Sequence, residues 1–219
     1  MNAGIRLAAE VITRGGVVVY PTETLYAVGA SILIPQAVER VARLKLRGPA
    51  KPLPVIIGDL EQLAMLTDWR DQRLSRLIRD FWPGPLSILV PARPGLSPLL
   101  QDPQGFTAVR WTPHPTAQVL AVLSRTPLTS TSANTAGEPP ASRPEDLDPK
   151  LMARLEQARP SGRTDDPNQP KELIIRQQPF PAGGEPSTVV QIQDDGRLRI
   201  FREGAVAREQ LQKAGWNFG

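Results

Sequence analysis

Residues 128–134, Leu-Thr-Ser-Thr-Ser-Ala-Asn, are the stretch around which we interpret the rest of the chain. They follow an apolar, strand-like approach at 126–128 and precede a turn rich in glycine and proline at 137–140. Short hydroxyls and an asparagine amide direct hydrogen bonds at an oxygen-rich ligand without adding charge. Turns of this composition also expose successive backbone N–H groups, which bind anions. A solvated serine and threonine turn at the end of a strand is the alternative interpretation.

Length and composition are those of a globular domain. The 219 residues are enough to bury a core. Hydrophobic residues make up 40 % and charged residues 22 %, and no apolar run reaches the length that spans a membrane. The N-terminus lacks the basic and then apolar pattern of a signal peptide. We therefore expect a cytoplasmic protein that has no contact with a membrane.

The counts of cysteine and histidine restrict the chemistry. The chain has no cysteine, which excludes disulfides and zinc-thiolate sites. Its one histidine, His114, lies between two prolines, which excludes multi-histidine metal sites and disfavours a serine–histidine triad. We expect no metal-binding residues. The net charge of +4 and the pI of about 9.8 are compatible with a partner that carries phosphate.

Apolar residues change between helical and strand spacing along the chain, which predicts an α/β fold. The predicted helices are 5–13, 36–47, a short one capped by Asp59 and ending at Leu66, 70–81, 115–124, 144–155 in two pieces, and 208–213. The predicted strands are 17–20, 53–57, 86–90, 106–111, 126–128, 173–175, 189–192 and 198–201.

We expect these elements to form one domain, residues 1–219, with a core at about 5–206 and a short helix after residue 206. The segment 159–171 is polar, contains proline, glycine and aspartate, and shows no hydrophobic periodicity. That composition is typical of a loop, and we expect this loop to be mobile.

Groups suited to a ligand end several strands and helices, at 22–24, 45–51, Arg110, 130–134 and 187–202. Their joint content of Lys, Arg, Ser and Asn is what a polyphosphate needs, because Arg makes forked hydrogen bonds, Lys supplies a point charge and hydroxyls fill the remaining lone pairs. No Walker loop, no G-x-G-x-x-G and no paired acids are present. No protein nucleophile is evident, so chemistry here would depend on electrostatic stabilisation of a phosphoryl or nucleotidyl transfer. We interpret Thr22 and Glu23 as loop architecture.

Several short motifs occur in a characteristic order over about residues 5–206: Gly15-Gly16 with Tyr20-Pro21-Thr22-Glu23-Thr24, Lys45-Leu46-Arg47 with Lys51-Pro52-Leu53, Trp82-Pro83-Gly84-Pro85, Ala108-Val109-Arg110, Ser132-Ala133-Asn134, Pro186-Ser187-Thr188-Val189-Val190, and Arg202-Glu203-Gly204. With these motifs the sequence resembles the YrdC/TsaC family, the threonylcarbamoyl-AMP synthases. Each motif is weak alone, and together in register they are specific.

The resemblance implies a single YrdC-like α/β domain whose twisted, mixed β-sheet is flanked by helices around a basic concave cavity. It implies that L-threonine, bicarbonate and ATP give threonylcarbamoyl-adenylate and pyrophosphate, with Mg²⁺ accompanying the ATP and no tightly bound cofactor. The product would serve the threonylcarbamoyladenosine modification of tRNA through downstream transfer proteins.

The resemblance also assigns residues. The catalytic pair would be Lys45 and Arg47, with Lys45 stabilising charge as pyrophosphate leaves. The residues that would hold ATP are Arg47, Lys51, Ser132, Asn134 and Arg202. Those that would hold threonine are Thr24, Arg110, Ser130 and Ser187. The expected step, attack by the carboxylate of N-carboxythreonine on the α-phosphate, agrees with a site that has cations and no nucleophile.

The sequence departs from the family pattern in places. Val55-Ile56-Ile57 stands where many relatives carry a histidine near the bound threonine. Gln191 stands where an acidic residue often follows the Ser-Thr-Val-Val run of residues 187–190. The region 154–181 is not family-like. Only 15 residues follow Gly204, so the resemblance is to the short, single-domain type.

Two alternatives remain beside the synthase. One is a non-catalytic YrdC-like module that binds tRNA or double-stranded RNA, with an affinity that falls steeply as salt rises. The other is a sibling enzyme that makes a carbamoyl-adenylate with a different acceptor. The intact Ser132-Ala133-Asn134 motif favours the synthase over non-catalytic relatives.

Overall fold

The computed structural model describes residues 3–46, 51–157 and 173–219 and confirms the α/β class. The helices are α1 (Ala3–Thr13), α2 (Pro35–Leu44), α3 (Gln72–Phe81), α4 (Pro115–Leu123), α5 (Pro149–Gln157) and α6 (Arg208–Lys213). The strands are β1 (Val18–Pro21), β2 (Tyr26–Gly29), β3 (Val55–Ile57), β4 (Leu86–Pro91), β5 (Phe106–Trp111), β6 (Leu128–Thr129), β7 (Thr131–Ser132), β8 (Leu173–Ile174), β9 (Thr188–Ile192) and β10 (Leu198–Arg202). Within these ranges no helix has the length and apolar character needed to cross a bilayer. The loop predicted at 159–171 lies outside the described residues.

The strands form two mixed sheets where we expected one. The first has four strands in the order β7-β2-β1-β8, and the second has six in the order β10-β9-β4-β5-β3-β6. The pairs β1–β8, β3–β5 and β4–β9 are parallel, and the other pairs are antiparallel. The strands β6 and β7 are separated by Ser130 alone, so the chain passes from the second sheet to the first at that residue.

Helix α2 ends earlier than predicted. Its apolar face is buried as expected at Ala37, Val38 and Val41. The helix stops at Leu44, with Lys45 as its C-cap, and Leu46 turns the chain with a φ of 49°. The prediction of a helix to Arg47 is therefore wrong at its end, because the left-handed backbone at residue 46 is incompatible with a continuing helix.

Strand β2 was not predicted. Its four residues are all buried, but two of them are alanine and glycine, which have low strand propensity. A Cβ at Gly29 would collide with the carbonyl oxygen of Thr129 and lie 2.6 Å from the ring of Tyr20. Glycine at this position therefore lets β2 approach the end of β6, where the two sheets meet.

Two buried apolar clusters lie on opposite faces of the strands. Val19 and Val55 face the larger cluster, which includes residues of α2, α3 and α5. Their sequence neighbours Tyr20 and Ile56 face the smaller cluster, which is formed with α1 and α4. This alternation is the period-2 geometry of strands, and it fixes the two sheets relative to the helices around them.

Candidate active site

A cavity opens where the two sheets meet, and both sheets line it. The described residues enclose about 180 Å³ there, less than the ~300–1,000 Å³ of pockets for drug-sized ligands. Its polar lining residues are Thr22, Thr24, Ser87, Arg110, Ser130, Thr131, Ser132, Asn134, Ser187 and Arg202. The enclosed part suits a small polar group of a ligand better than a whole nucleotide.

Strand register brings four of these residues to one edge of the six-stranded sheet. Because β5 is antiparallel to β4, and β4 is parallel to β9, the end of β5 lies on the same edge as the starts of β4 and β9. Arg110 is at that end of β5, Ser87 is at the start of β4, and Ser187 directly precedes β9. The antiparallel β10 returns Arg202 to the same edge.

Arg110 is a buried cation with a counter-charge that is largely, but not fully, buried. Its Nη1 contacts Oε1 of Glu23, and the two side chains are 7 % and 13 % exposed. Burial lowers the pKa of Arg110 to about 10, so the guanidinium stays charged at neutral pH. The other carboxylate oxygen of Glu23 accepts a hydrogen bond of 2.7 Å from Oγ1 of Thr112. Glu23 is therefore more than loop architecture, because it matches the charge of a cavity residue.

The second arginine of the cavity, Arg202, contacts a neutral residue, Ser187. Its Nε and Nη2 donate to the carbonyl oxygen of Ser187 at 3.1 and 2.7 Å, and Nη2 also donates to Oγ at 3.1 Å. Oγ of Ser187 is 2.9 Å from Oγ of Ser87. Partial burial lowers the pKa of Arg202. Its hydrogen-bond partners within the described ranges are neutral, so its charge is available to an anionic ligand.

The Ser132-Ala133-Asn134 turn is held by a buried lysine. Lys45 is 5 % exposed, and its Nζ donates to the carbonyl oxygen of Ser132 at 2.5 Å, to Oδ1 of Asn134 at 3.1 Å and to the carbonyl oxygen of Asn134. Oγ of Ser132 donates to Oδ1 of Asn134 at 2.6 Å, and Nδ2 of Asn134 donates to the carbonyl oxygen of Glu138. These contacts fix the turn and place a positive charge directly against it.

Most of the predicted site residues meet in the cavity: Thr24, Arg110, Ser130, Ser132, Asn134, Ser187 and Arg202 line it. Lys45 contacts the lining from behind. Lys51 is exposed and does not line the cavity, and Arg47 lies outside the described residues. The roles assigned to these residues stay predictions. The basic character of the cavity also stays a prediction, because Glu23 matches the charge of Arg110.

Ser87, Glu23 and Thr112 were missed as site residues. Ser87 carried a signal, since it is the one polar residue in the buried run Leu86 to Val90. Glu23 and Thr112 are far apart in the sequence and form their hydrogen bond only in the folded chain, so no local pattern identifies the pair.

The side of the cavity at β3 is apolar, and the histidine of the chain lies elsewhere. Pro54, Val55 and Ile56 line this side. His114 is buried at the start of α4, where its Nε2 is 3.1 Å from the carbonyl oxygen of Pro179. Burial lowers the pKa of His114. A serine–histidine pair therefore does not form at this cavity.

The described residues offer few oxygen ligands for a metal ion of their own. In the ranges that the structure describes, no group of three or more acidic or histidine side chains is placed to hold a metal ion. Glu23, the carboxylate behind the lining, is engaged by Arg110 and Thr112. Because Mg²⁺ prefers carboxylate and phosphate oxygens, an ion here would be held by the phosphates of a nucleotide.

Comparison with known proteins identifies the family. Residues 10–204 match the family model Sua5_yciO_yrdC, described as telomere recombination. The match spans most of the chain, and the chain belongs to the Sua5/YciO/YrdC family.

Similar proteins include enzymes and a solved complex. The threonylcarbamoyl-AMP synthase of Methylococcus capsulatus is 38 % identical over 140 residues, which are 64 % of this chain and 75 % of that protein. The threonylcarbamoyl-AMP synthase of Bacillus subtilis is 32 % identical over 209 residues, 95 % of this chain and 55 % of that protein. The structure of P. abyssi Sua5 complexed with L-threonine is 28 % identical with a TM-score of 0.81, and covers 96 % of this chain and 56 % of that chain. The chain thus spans little more than half of the last two proteins.

Proposed function

We propose that this chain is an L-threonylcarbamoyladenylate synthase, a nucleotidyltransferase that forms threonylcarbamoyl-AMP and pyrophosphate from L-threonine, bicarbonate and ATP. One observation carries the proposal: the four side chains predicted to hold threonine and three of those predicted to hold ATP line one cavity. Membership of the family, and the L-threonine in the structure of P. abyssi Sua5, support the same function.

The enclosed part of the cavity would take the amino acid. Arg110 would form a forked pair with the α-carboxylate, and hydroxyls of Thr24, Ser130 and Ser187 would meet the other polar atoms. The apolar side at Val55 and Ile56 offers a surface for the methyl group of threonine. This arrangement accounts for a cavity that is too small for the whole substrate set.

The nucleotide would extend from the cavity along the Ser132-Ala133-Asn134 turn. Ser132 and Asn134 would contact it directly, and Arg202 would close over it with a charge that no carboxylate in the described ranges matches. The predicted phosphate contact Lys51 is exposed and lies outside the cavity lining, and the role of Arg47 rests on the sequence. Mg²⁺ would arrive with the ATP and neutralise charge on its phosphates.

The chemistry would need no protein nucleophile. The amine of threonine combines with bicarbonate to give N-carboxythreonine and water. The new carboxylate attacks the α-phosphorus of ATP, an O–P bond forms, and the bond from that phosphorus to pyrophosphate breaks. Negative charge grows on the leaving pyrophosphate, and Lys45 and Arg47 would stabilise it electrostatically.

We infer that the product then passes to proteins that transfer the threonylcarbamoyl group to tRNA. A direct contact with tRNA or double-stranded RNA is compatible with the net charge of +4. Binding that weakens steeply between low and physiological salt would identify such a contact.

The proposal is tested by pyrophosphate release from ATP and bicarbonate, with and without L-threonine. We expect release that depends on threonine. Arg110→Lys should lower kcat/KM for threonine by about 10- to 100-fold, because Lys cannot reproduce a charged, forked hydrogen bond. Arg199→Lys, an exposed arginine on β10, is the matched control and should retain wild-type turnover.

Other results would redirect the assignment. Release that ignores threonine but responds to another amine would indicate the sibling enzyme. Salt-sensitive RNA binding without any release would indicate the binding module. Arg47→Ala in the same assay tests the phosphate side of the site, for which the sequence is the support.

A further inference from the structure

Arg110 is held from behind by residues that do not line the cavity. Glu23 contacts Nη1 of Arg110 through Oε1, and Thr112 donates from Oγ1 to Oε2 of Glu23 at 2.7 Å. Thr112 is fully buried just past the end of β5, and Arg110 is 6 % exposed within that strand. The contacts therefore run in sequence from the arginine that lines the cavity to the carboxylate and then to the buried hydroxyl.

The hydroxyl of Thr112 has a fixed direction. Its Oγ1 accepts a hydrogen bond of 3.2 Å from the backbone N–H of His114. With that lone pair occupied, the hydroxyl proton points to Oε2 of Glu23. The backbone of Glu23 is held as well, because its carbonyl oxygen accepts from the N–H of Ala182 at 3.2 Å. The carboxylate thus contacts Arg110 through one oxygen and accepts from Thr112 through the other, and its main chain is hydrogen-bonded as well.

A planar guanidinium that is fixed at one nitrogen presents its other donors in one plane. We propose that Glu23 and Thr112 are positioning residues that set this plane, and that they thereby set the affinity for the α-carboxylate of the acceptor amino acid. The inference rests on the proposed function for the identity of the ligand. The positioning of Arg110 by Glu23 and Thr112 does not depend on which ligand binds.

The kinetic test compares Thr112→Val, which keeps the shape and removes the hydroxyl, with Thr112→Ser, which restores it. Thr112→Val should raise KM for L-threonine about tenfold, the loss expected for one hydrogen bond to a charged group, while KM for ATP and kcat change less than about twofold. Thr112→Ser should restore most of the affinity. Thr107→Val is the matched control, because Thr107 is a buried threonine in β5, the strand of Arg110, and its Oγ1 has no hydrogen-bond partner in the described part of the chain.

A second measurement does not depend on turnover. In ¹⁵N-labelled protein, the Nε–H signal of Arg110, assigned by its loss in Arg110→Lys, should be sharp and slowly exchanging in the wild type. It should broaden in Glu23→Gln and in Thr112→Val, and stay sharp in Thr112→Ser and Thr107→Val. Glu23→Gln also serves as the second variant if Thr112→Val does not fold.

Each outcome decides a part of the proposal. An Arg110 signal that is unchanged in Glu23→Gln would overturn the positioning role. A threonine KM that is unchanged in Thr112→Val, or a KM for ATP that rises in parallel, would overturn the link to the acceptor carboxylate. A wild-type protein without threonine-dependent release, whose Arg110 signal nevertheless responds as expected, would refute the proposed function and leave the positioning role standing.

Discussion

Buried charges dominate the site at the scale of single residues. A buried cation is tolerated only when protein groups replace the water that it loses. Lys45 has carbonyl and amide oxygens of residues 132 and 134 as acceptors, and Arg110 has the carboxylate of Glu23. In both cases the acceptors come from distant parts of the sequence, so the cations join separate segments as well as carrying charge.

His114 should make stability depend on pH between 5 and 7. Burial lowers its pKa below the ordinary 6.5, so below pH 6.5 the unfolded chain binds more protons than the folded one, and the free energy of unfolding falls as the pH decreases. Protonation would put a proton on Nδ1, which is buried without a hydrogen-bond partner in the described ranges. Urea unfolding at pH 7, 6 and 5 measures the slope.

His114→Gln is the control, because it removes the one histidine of the chain. Its free energy of unfolding should change less with pH over the same range. The capping carboxylates Asp71 and Asp148 have lowered pKa values and act below this range. Equal slopes for the wild type and the variant would contradict the prediction.

Site residues that belong to a sequence motif could be predicted from the sequence. The residues that contact them in the folded chain could not. Arg110, Ser132 and Ser187 each belong to a short motif, and all three line the cavity. Glu23 also belongs to a motif, but its role depends on Arg110 and Thr112 being brought beside it by β1 and β5. Sequence spacing contains no information on that distance.

Among the elements, the end of α2 gives a direct test of backbone strain. Leu46 is 67 % exposed and has a φ of 49°. Leu46→Gly should raise the free energy of unfolding by about 0.5–1 kcal/mol, because relief of left-handed strain exceeds the added chain entropy of glycine. Urea or thermal unfolding measures the change.

The same substitution in a right-handed helix should have the opposite sign. Leu7 is 51 % exposed within α1, and Leu7→Gly should lower the free energy of unfolding by about 1 kcal/mol. A Leu46→Gly variant that is destabilised like Leu7→Gly would contradict the strain at the end of α2.

The success of prediction at the element scale follows the strength of the local pattern. The bounds of β5 and α6 agree with the prediction. Strand β2 was missed since alanine and glycine carry no strand signal, and β7 is only two residues long. Helix α2 was extended too far because Lys45 and Arg47 suit a helix C-terminus, whereas the structure directs Lys45 to the Ser132-Ala133-Asn134 turn.

For the whole molecule, the junction between the two sheets is the critical contact. The hydroxyl of Tyr20 in β1 donates to the carbonyl oxygen of Thr129 in β6 at 2.8 Å, and the backbone N–H of Ala30 donates to Oγ1 of Thr129 at 3.0 Å. Tyr20→Phe should lower the free energy of unfolding by about 1–3 kcal/mol, because it leaves a buried carbonyl without its donor. Chemical denaturation measures the loss.

Tyr26→Phe is a close control in the same sheet. Tyr26 is also fully buried, but its hydroxyl has no hydrogen-bond partner among the residues that the structure describes. Its removal should therefore leave the free energy of unfolding within about 0.5 kcal/mol of the wild type. Equal effects of the two substitutions would contradict the importance of the junction.

The passage of the chain from one sheet to the other at Ser130 links ligand binding to the folding of the entire molecule. Neither half of the cavity exists without its own sheet, so local unfolding of either sheet must release the ligand. Thermodynamic linkage then makes a saturating ligand resist every such opening, and at 100 times Kd the resistance amounts to about 2.7 kcal/mol. Substrate in the cavity thus lowers the population of every partly unfolded form in which either sheet is lost.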